Sequence, residues 1–141
     1  MSANIIPRVR AAAPGWRVSA DVVVIGSGVA GLTAAIAARE AGFSVLLVTK
    51  SYVEEGSTRW AQGGVAAALA PEDSPAQHWR DTVVAGAGLC DADAVSVLVN
   101  EGALAVQRLI RRGAQFDRNA KGQLELTREG GHHRDRIAHA G

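Results

Sequence analysis

The sequence predicts an α/β fold built on a parallel sheet, of the kind that wraps a dinucleotide. Four consecutive apolar β-formers, Val22 to Ile25, run directly into Gly26-x-Gly28-x-x-Gly31. An alanine-rich stretch with helical composition follows, from Ala30 to Ala41, and stops at Gly42. A second apolar run begins at Val45. Strand, glycine turn, helix and strand in that order make a Rossmann-like unit. Its first glycine permits a tight turn, its second lets backbone approach a pyrophosphate, and its third lets the helix pack closely on the strand. The pyrophosphate would rest on free N–H groups at the helix N-terminus, where the macrodipole favours negative charge.

Size and composition bound the rest. The chain has 141 residues, 48% of them apolar, which suits about one domain with a real core. Its net charge is +1, with acids and bases interspersed, so nothing points to a nucleic-acid or membrane surface. Cys90 is the single cysteine, which precludes an intrachain disulfide and suits a reducing compartment. No apolar run approaches the roughly 20 residues of a membrane span. The first twenty residues hold Arg8, Arg10 and Arg17 but no apolar stretch leading to a cleavage site, and Pro7, Pro14 and Gly15 interrupt them. Residues 1–20 are therefore expected to be a flexible N-terminal arm, and the cytosol is the expected location.

Along the chain, Val22–Ile25 reads as a central strand with apolar residues on both faces, as buried parallel strands have. Gly42 stands where a C′ glycine ends a helix. Val45–Thr49 is the second strand, and Lys50 to Trp60 is a long polar loop at its carboxyl end, where open α/β sheets bind ligands. Val65 to Leu69 is either strand or buried helix. Pro71 to Pro75 is a turn, and Ala76 to Ala87 is helical, ended by Gly86 and Gly88. Asp91 reads as the N-cap of a longer helix, with Val95, Leu98, Val99, Val106, Leu109 and Ile110 at helical spacing and Gly113 closing it. Gln115 to Leu126 suits a short hairpin around Lys121-Gly122. The segment from Thr127 to Gly141 is polar and holds three of the four histidines.

The nature of the dinucleotide turns on two loops. A nicotinamide-binding unit usually ends its second strand with an acidic residue for the ribose, whereas this chain has Val48-Thr49-Lys50. Lys50 would suit a 2′-phosphate, or is a solvated loop lysine; spacing alone does not choose. Gly56-Ser-Thr-Arg-Trp-Ala-Gln-Gly-Gly64 is a second glycine-rich loop, rich in small donors, and suits a long ligand such as FAD.

Gly26-Ser-Gly-Val-Ala-Gly31, Val48-Thr-Lys50, Gly56-Ser-Thr58, Ala61-Gln-Gly-Gly64, Ala85-Gly-Ala-Gly-Leu-Cys-Asp91 and Leu126-Thr-Arg-Glu-Gly-Gly-His132 stand together and in order. That set, with Arg136-Ile-Ala-His139, resembles the L-aspartate oxidase family of the succinate dehydrogenase/fumarate reductase flavoprotein group. The resemblance covers Asp21 to Gly141. It implies that the Thr-Lys pair stands in for the usual acidic residue. It also implies cofactor contacts from Gly26, Ser27, Gly28, Val29, Ala30, Gly31, Lys50, Ser57, Thr58, Arg59, Trp60, Ala61, Gln62, Gly63 and Gly64. The implied activity is FAD-dependent oxidation of L-aspartate to iminoaspartate. Oxygen or fumarate would reoxidise the flavin, and quinolinate synthase would use the product in NAD biosynthesis. The dehydrogenase relatives place a histidine four residues before the alanine of Ala-Gln-Gly-Gly and bond it to the flavin. Ser57 occupies that position here, so the resemblance implies non-covalent FAD.

Glu129, flanked by Gly130 and Gly131, is the candidate catalytic residue. A carboxylate there can accept a hydrogen bond from a substrate ammonium or transfer a proton, and its place in the family motif implies a role in orienting L-aspartate. It also reads as an ordinary loop glutamate. Arg128, Arg134 and Arg136 are suited to a dicarboxylate, since guanidinium pairs bidentately with carboxylate. His132, His133 and His139 invite a metal reading, but no second ligand cluster accompanies them, so none is expected. Cys90 fits a small packing residue better than a reactive thiol.

The family continues for several hundred residues past the position of Gly141. The expectation is therefore an incomplete FAD-binding domain over residues 21–141, an N-terminal fragment inactive by itself. Its segment 126–141 would be a substrate loop and the start of a substrate-capping region.

Overall fold

Two strands and one helix make up the first of two compact units in the computed structural model, which describes residues 12–61 and 64–140. Strand β1 (Val22–Ile25) pairs in parallel with β2 (Val45–Val48), Val22 opposite Val45 and Ile25 opposite Val48. Helix α1 (Val29–Glu40) crosses between them and ends at Gly42, whose φ of +90° suits a C′ glycine. At the open end, the Asp21 carboxylate accepts the Ser44 amide at 2.8 Å, and Ser44 Oγ accepts the Asp21 amide at 3.0 Å. The strand starts are thereby tied in register. The sheet is half covered. Val22 and Val24 turn inward, while Val23 (55% exposed) and Ile25 (85%) face outward, because α1 packs on one face only. The doubly buried strand that the apolar run suggests is not what these residues form. The expected polar loop contains two short 3-10 turns, Val53–Glu55 and Ser57–Trp60.

The second unit begins after Ala61. A three-stranded antiparallel sheet runs in the order β3 (Gly64–Ala66), β5 (Ile137–His139), β4 (Leu126–Thr127). The open choice for the run after Gly64 resolves as strand, because β5 supplies a partner from the far end of the chain. Helix α2 (Pro75–Ala85) has Ser74 as its N-cap, accepting the Gln77 amide at 3.2 Å, and proline at the first position. Helix α3 (Ala92–Arg111) is capped by Asp91, whose Oδ1 accepts the Asp93 and Ala94 amides at 3.0 Å. Val99 and Val106 from α3 join Ala67, Ile137 and Ala138 as the buried apolar residues of the unit. The expected hairpin at Lys121-Gly122 is a tight turn with one bridge, Arg118 to Leu124. Thr127 to the end, read as a polar tail, instead supplies β5, the most buried strand of this sheet.

Candidate functional site

The turn between β1 and α1 is built by three glycines with three different reasons. Gly26 continues the ladder by donating to Val48 O at 2.8 Å, then turns with φ +107°, a conformation side chains rarely adopt. Gly31, in the first turn of α1, could carry no Cβ without overlapping the Gly26 carbonyl oxygen, so its smallness sets how closely helix meets strand. Gly28 is different. Its φ of −71° suits any residue, and an added Cβ would meet only Thr58 Oγ1 at 3.6 Å. The fold does not need glycine at 28.

The first-turn amides of a helix have no partner within it. That of Val29 is taken by Thr58 Oγ1 at 3.0 Å, which ties the 3-10 turn to the helix start. The amides of Ala30 and Gly31 have no partner among the described residues. Two free N–H groups and a positive helix end behind a bare Gly28 fit the pyrophosphate of FAD. Ser27 is buried and its hydroxyl lies 3.1 Å from Thr49 Oγ1, so its side chain fastens the turn to the end of β2. Gly56 packs on the Ser27 carbonyl, where a Cβ would lie 3.3 Å from the oxygen. Lys50 stands exposed just beyond β2, and Ala61 ends the loop, also exposed. The Arg59 guanidinium sits 5.2 Å from the centre of the Trp60 ring, both side chains solvent-facing. Gln62 and Gly63 lie outside the described residues, as does the Ser57 side chain. Gly64 belongs to β3 in the second unit, where an added Cβ would overlap Ile137 Cγ2 and lie 2.7 Å from Ala138 O. Strand packing already accounts for that glycine.

Within the second unit, Glu129 sits on the loop between β4 and β5. His132 donates its amide to Glu129 O at 3.2 Å, closing a turn over Gly130 and Gly131 (φ +84°). The carboxylate is half exposed, and Glu129 Oε1 lies 3.5 Å from His139 Nε2, which is also 2.8 Å from Thr127 Oγ1. Arg128 and Asp135 approach to 3.6 Å across the loop's mouth.

Behind this loop lies a cluster that sequence reading missed. Arg136, suited on paper to a substrate carboxylate, is fully buried and already engaged. It donates from Nε and Nη2 to the two oxygens of Asp73 at 2.8 and 2.9 Å, and from Nη1 to Asp81 Oδ2 at 2.9 Å. Nη1 also reaches His132 Nδ1 at 3.3 Å. Asp81 further accepts the His133 amide at 2.9 Å and the His133 Nδ1–H at 2.7 Å, and Arg134 Nε donates to Gln77 Oε1 at 2.8 Å. Burial alone would push the Asp81 carboxyl up, but the His133 bonds and the Arg136 charge together outweigh it and hold it below the ordinary carboxylate value. Buried His78 is held below the ordinary histidine value, first by burial and then by the Arg136 charge. Its Nδ1 has no hydrogen-bond partner among the described residues. The available sequence signal was Gln77, His78 and Asp81 on one side of α2, a polar stripe with no solvent reason at that spacing. Cys90 packs at the end of α2, its Sγ 3.6 Å from Thr82 O, where a side chain on Gly86 would collide with it.

A family model described as FAD binding domain matches residues 21–141. The L-aspartate oxidase of Streptomyces coelicolor is 65% identical over 95% of this chain and 23% of that protein. The L-aspartate oxidase of Mycobacterium tuberculosis is 52% identical over 92% of this chain and 25% of that protein. The chain thus spans about a quarter of the length of the curated relatives it matches. Among solved structures, the Mycobacterium smegmatis Sdh1 complex superposes with a TM-score of 0.82 at 41% identity, over 86% of this chain and 21% of that one. An E. coli quinol fumarate reductase gives 0.81 at 35% identity, over 84% of this chain and 21% of that one. With its glycine turn and free helix-start amides inside the matched segment, the chain belongs to the FAD binding domain family.

Proposed function

We propose that this chain is the nucleotide-binding start of an L-aspartate oxidase, which oxidises L-aspartate to iminoaspartate with non-covalently bound FAD. The observation that carries the reading is 65% identity to an L-aspartate oxidase across nearly the whole chain. FAD, when bound, supplies the hydride acceptor. The chain's own residues supply binding and orientation. The Ala30 and Gly31 amides would donate to pyrophosphate oxygens, Gly28 would leave room for their approach, and Lys50 would add positive charge beyond β2. Glu129 accepts a hydrogen bond from the substrate ammonium. Its half-exposed carboxylate on a fixed backbone turn supports that role.

Fumarate or oxygen reoxidises the flavin, and quinolinate synthase takes the product in NAD biosynthesis. The reading places the protein in the cytosol. A lone cysteine supports a reducing location, and among the described residues no helix is long and apolar enough to cross a membrane.

A second reading, a fumarate reductase-like flavoprotein with non-covalent FAD, draws on the solved E. coli quinol fumarate reductase at 35% identity. One experiment separates the two. In an FAD-loaded protein of full family length carrying this sequence, L-aspartate added without oxygen should bleach the flavin absorbance and succinate should not. Bleaching by succinate alone would overturn the oxidase reading in favour of the alternative.

A further inference from the structure

We infer that Asp81 is a positioning residue for Glu129, holding the loop between β4 and β5 against helix α2 so that the Glu129 carboxylate meets the substrate ammonium. The inference rests on the reading of Glu129 given above and extends it to a residue outside the loop.

The bonds describe a route from one to the other. The loop's backbone is fixed at its midpoint by the His133 amide on Asp81 Oδ2, 2.9 Å away, and its far end is fixed by Arg136 on the same oxygen, also 2.9 Å. Just before His133, His132 Nδ1 accepts from Arg136 while the His132 amide donates to Glu129 O. Glu129's own backbone is therefore two hydrogen bonds from a buried guanidinium whose place Asp81 and Asp73 dictate. Gln77, one helical turn before Asp81, receives Arg134 and adds a second point of attachment on the same side of α2. Glycines at 130 and 131 leave the loop with little stiffness of its own, so a carboxylate held to the tolerance catalysis demands needs such outside support. Asp81 is itself rigid, being buried inside a helix. Asp73, its partner on Arg136, accepts the guanidinium and the Ser74 amide and, among the described residues, has no bond to the loop's turn residues.

A merely structural Asp81 would, when altered, lower every activity together and lower flavin content with them. A positioning Asp81 acts on the amino group that Glu129 receives. L-Aspartate has that group and fumarate lacks it, so the two substrates separate the roles. In the FAD-loaded full-length protein, Asp81→Asn should cut kcat/KM for L-aspartate by about tenfold while fumarate reduction stays within about threefold and FAD content is unchanged. In the double variant with Glu129→Gln, the loss for L-aspartate should be no greater than for Glu129→Gln alone, because both act through one interaction. His133 is 81% exposed, so His133→Ala removes a bond to Asp81 at little risk to folding and should give a smaller loss of the same selectivity, about threefold. It decides the matter if Asp81→Asn does not fold. Equal losses for both substrates, or none, in whichever variant folds would overturn the inference. If Glu129→Gln itself leaves L-aspartate kcat/KM within about twofold of wild type, the reading of Glu129 fails and the inference falls with it. If Glu129→Gln is impaired but Asp81→Asn and His133→Ala lack selectivity, the inference alone fails.

Discussion

Arg136 and Asp73 meet in a two-point contact, Nε to Oδ2 at 2.8 Å and Nη2 to Oδ1 at 2.9 Å, with both side chains completely withdrawn from solvent. The third guanidinium nitrogen is occupied by Asp81. An arginine so placed cannot also clamp a substrate carboxylate. Removing one member of such a cluster leaves the others buried and uncompensated, which costs far more than the pair's net worth.

Arg136→Met should therefore destabilise the full-length protein by about 3–5 kcal/mol. Arg136→Lys should recover part of the loss but not the two-point geometry that a planar guanidinium provides. Urea denaturation followed by tryptophan fluorescence measures both. A methionine variant as stable as wild type would show that the cluster contributes specificity of fold rather than stability.

Acid should weaken the second unit in two stages. His78 has a folded value below the ordinary 6.5, so as pH falls beneath 6.5 the unfolded chain takes up a proton that folded His78 refuses. Stability drops in that window, by at most about 1.4 kcal/mol per pH unit from one group. Asp81 has a folded value below 3.8, so its contribution is present above 3.8 and disappears as pH falls through the lower folded value. His78→Leu removes the first stage together with an unpaired buried nitrogen. Melting temperatures compared from pH 7.5 to 5 should show wild type falling relative to the variant as pH falls, so the curves converge or cross if wild type starts higher and separate further if it starts lower. Parallel curves would show that His78 takes no part.

Gly28→Ala and Gly31→Ala should fail in different ways. The methyl at 28 has room beside Thr58 and an allowed backbone, so the protein should fold normally yet bind FAD about tenfold more weakly, a loss of roughly 1.4 kcal/mol. The methyl at 31 collides with the Gly26 carbonyl, so that variant should lose about 3 kcal/mol or more of stability as helix and strand separate. Flavin titration and thermal melts on the two purified proteins distinguish the outcomes. Normal FAD affinity in Gly28→Ala would remove the main structural support for the pyrophosphate site.

Flavin bound without a covalent link should leave the polypeptide on denaturation. Ser57 stands where the dehydrogenase relatives are expected to carry the linking histidine, and a hydroxymethyl group offers no imidazole. Acid precipitation of the full-length holoprotein should place all yellow colour in the supernatant. Colour retained in the pellet would count against an L-aspartate oxidase and for a covalent dehydrogenase.

Short-range chemistry made much of this molecule legible in advance. The run Val22–Ile25, the glycine spacing, the stop at Gly42 and the cap at Asp91 each act over a few residues, and each appears in the structure within a residue or so of its expected place. Glu129 was legible as a loop carboxylate for the same reason. What sequence could not reveal was pairing across distance. The tail from Thr127 reads as polar because it is rich in arginine and histidine, yet its Arg136 is wholly buried, since two aspartates 55 and 63 residues earlier neutralise it. Gly64 reads as part of a flavin loop, yet β5 packs against it so closely that no side chain fits. Local backbone preference and hydrophobic period are properties of a segment and survive in the bare sequence. Burial of a charge depends on which distant partner arrives, and only the folded chain decides that.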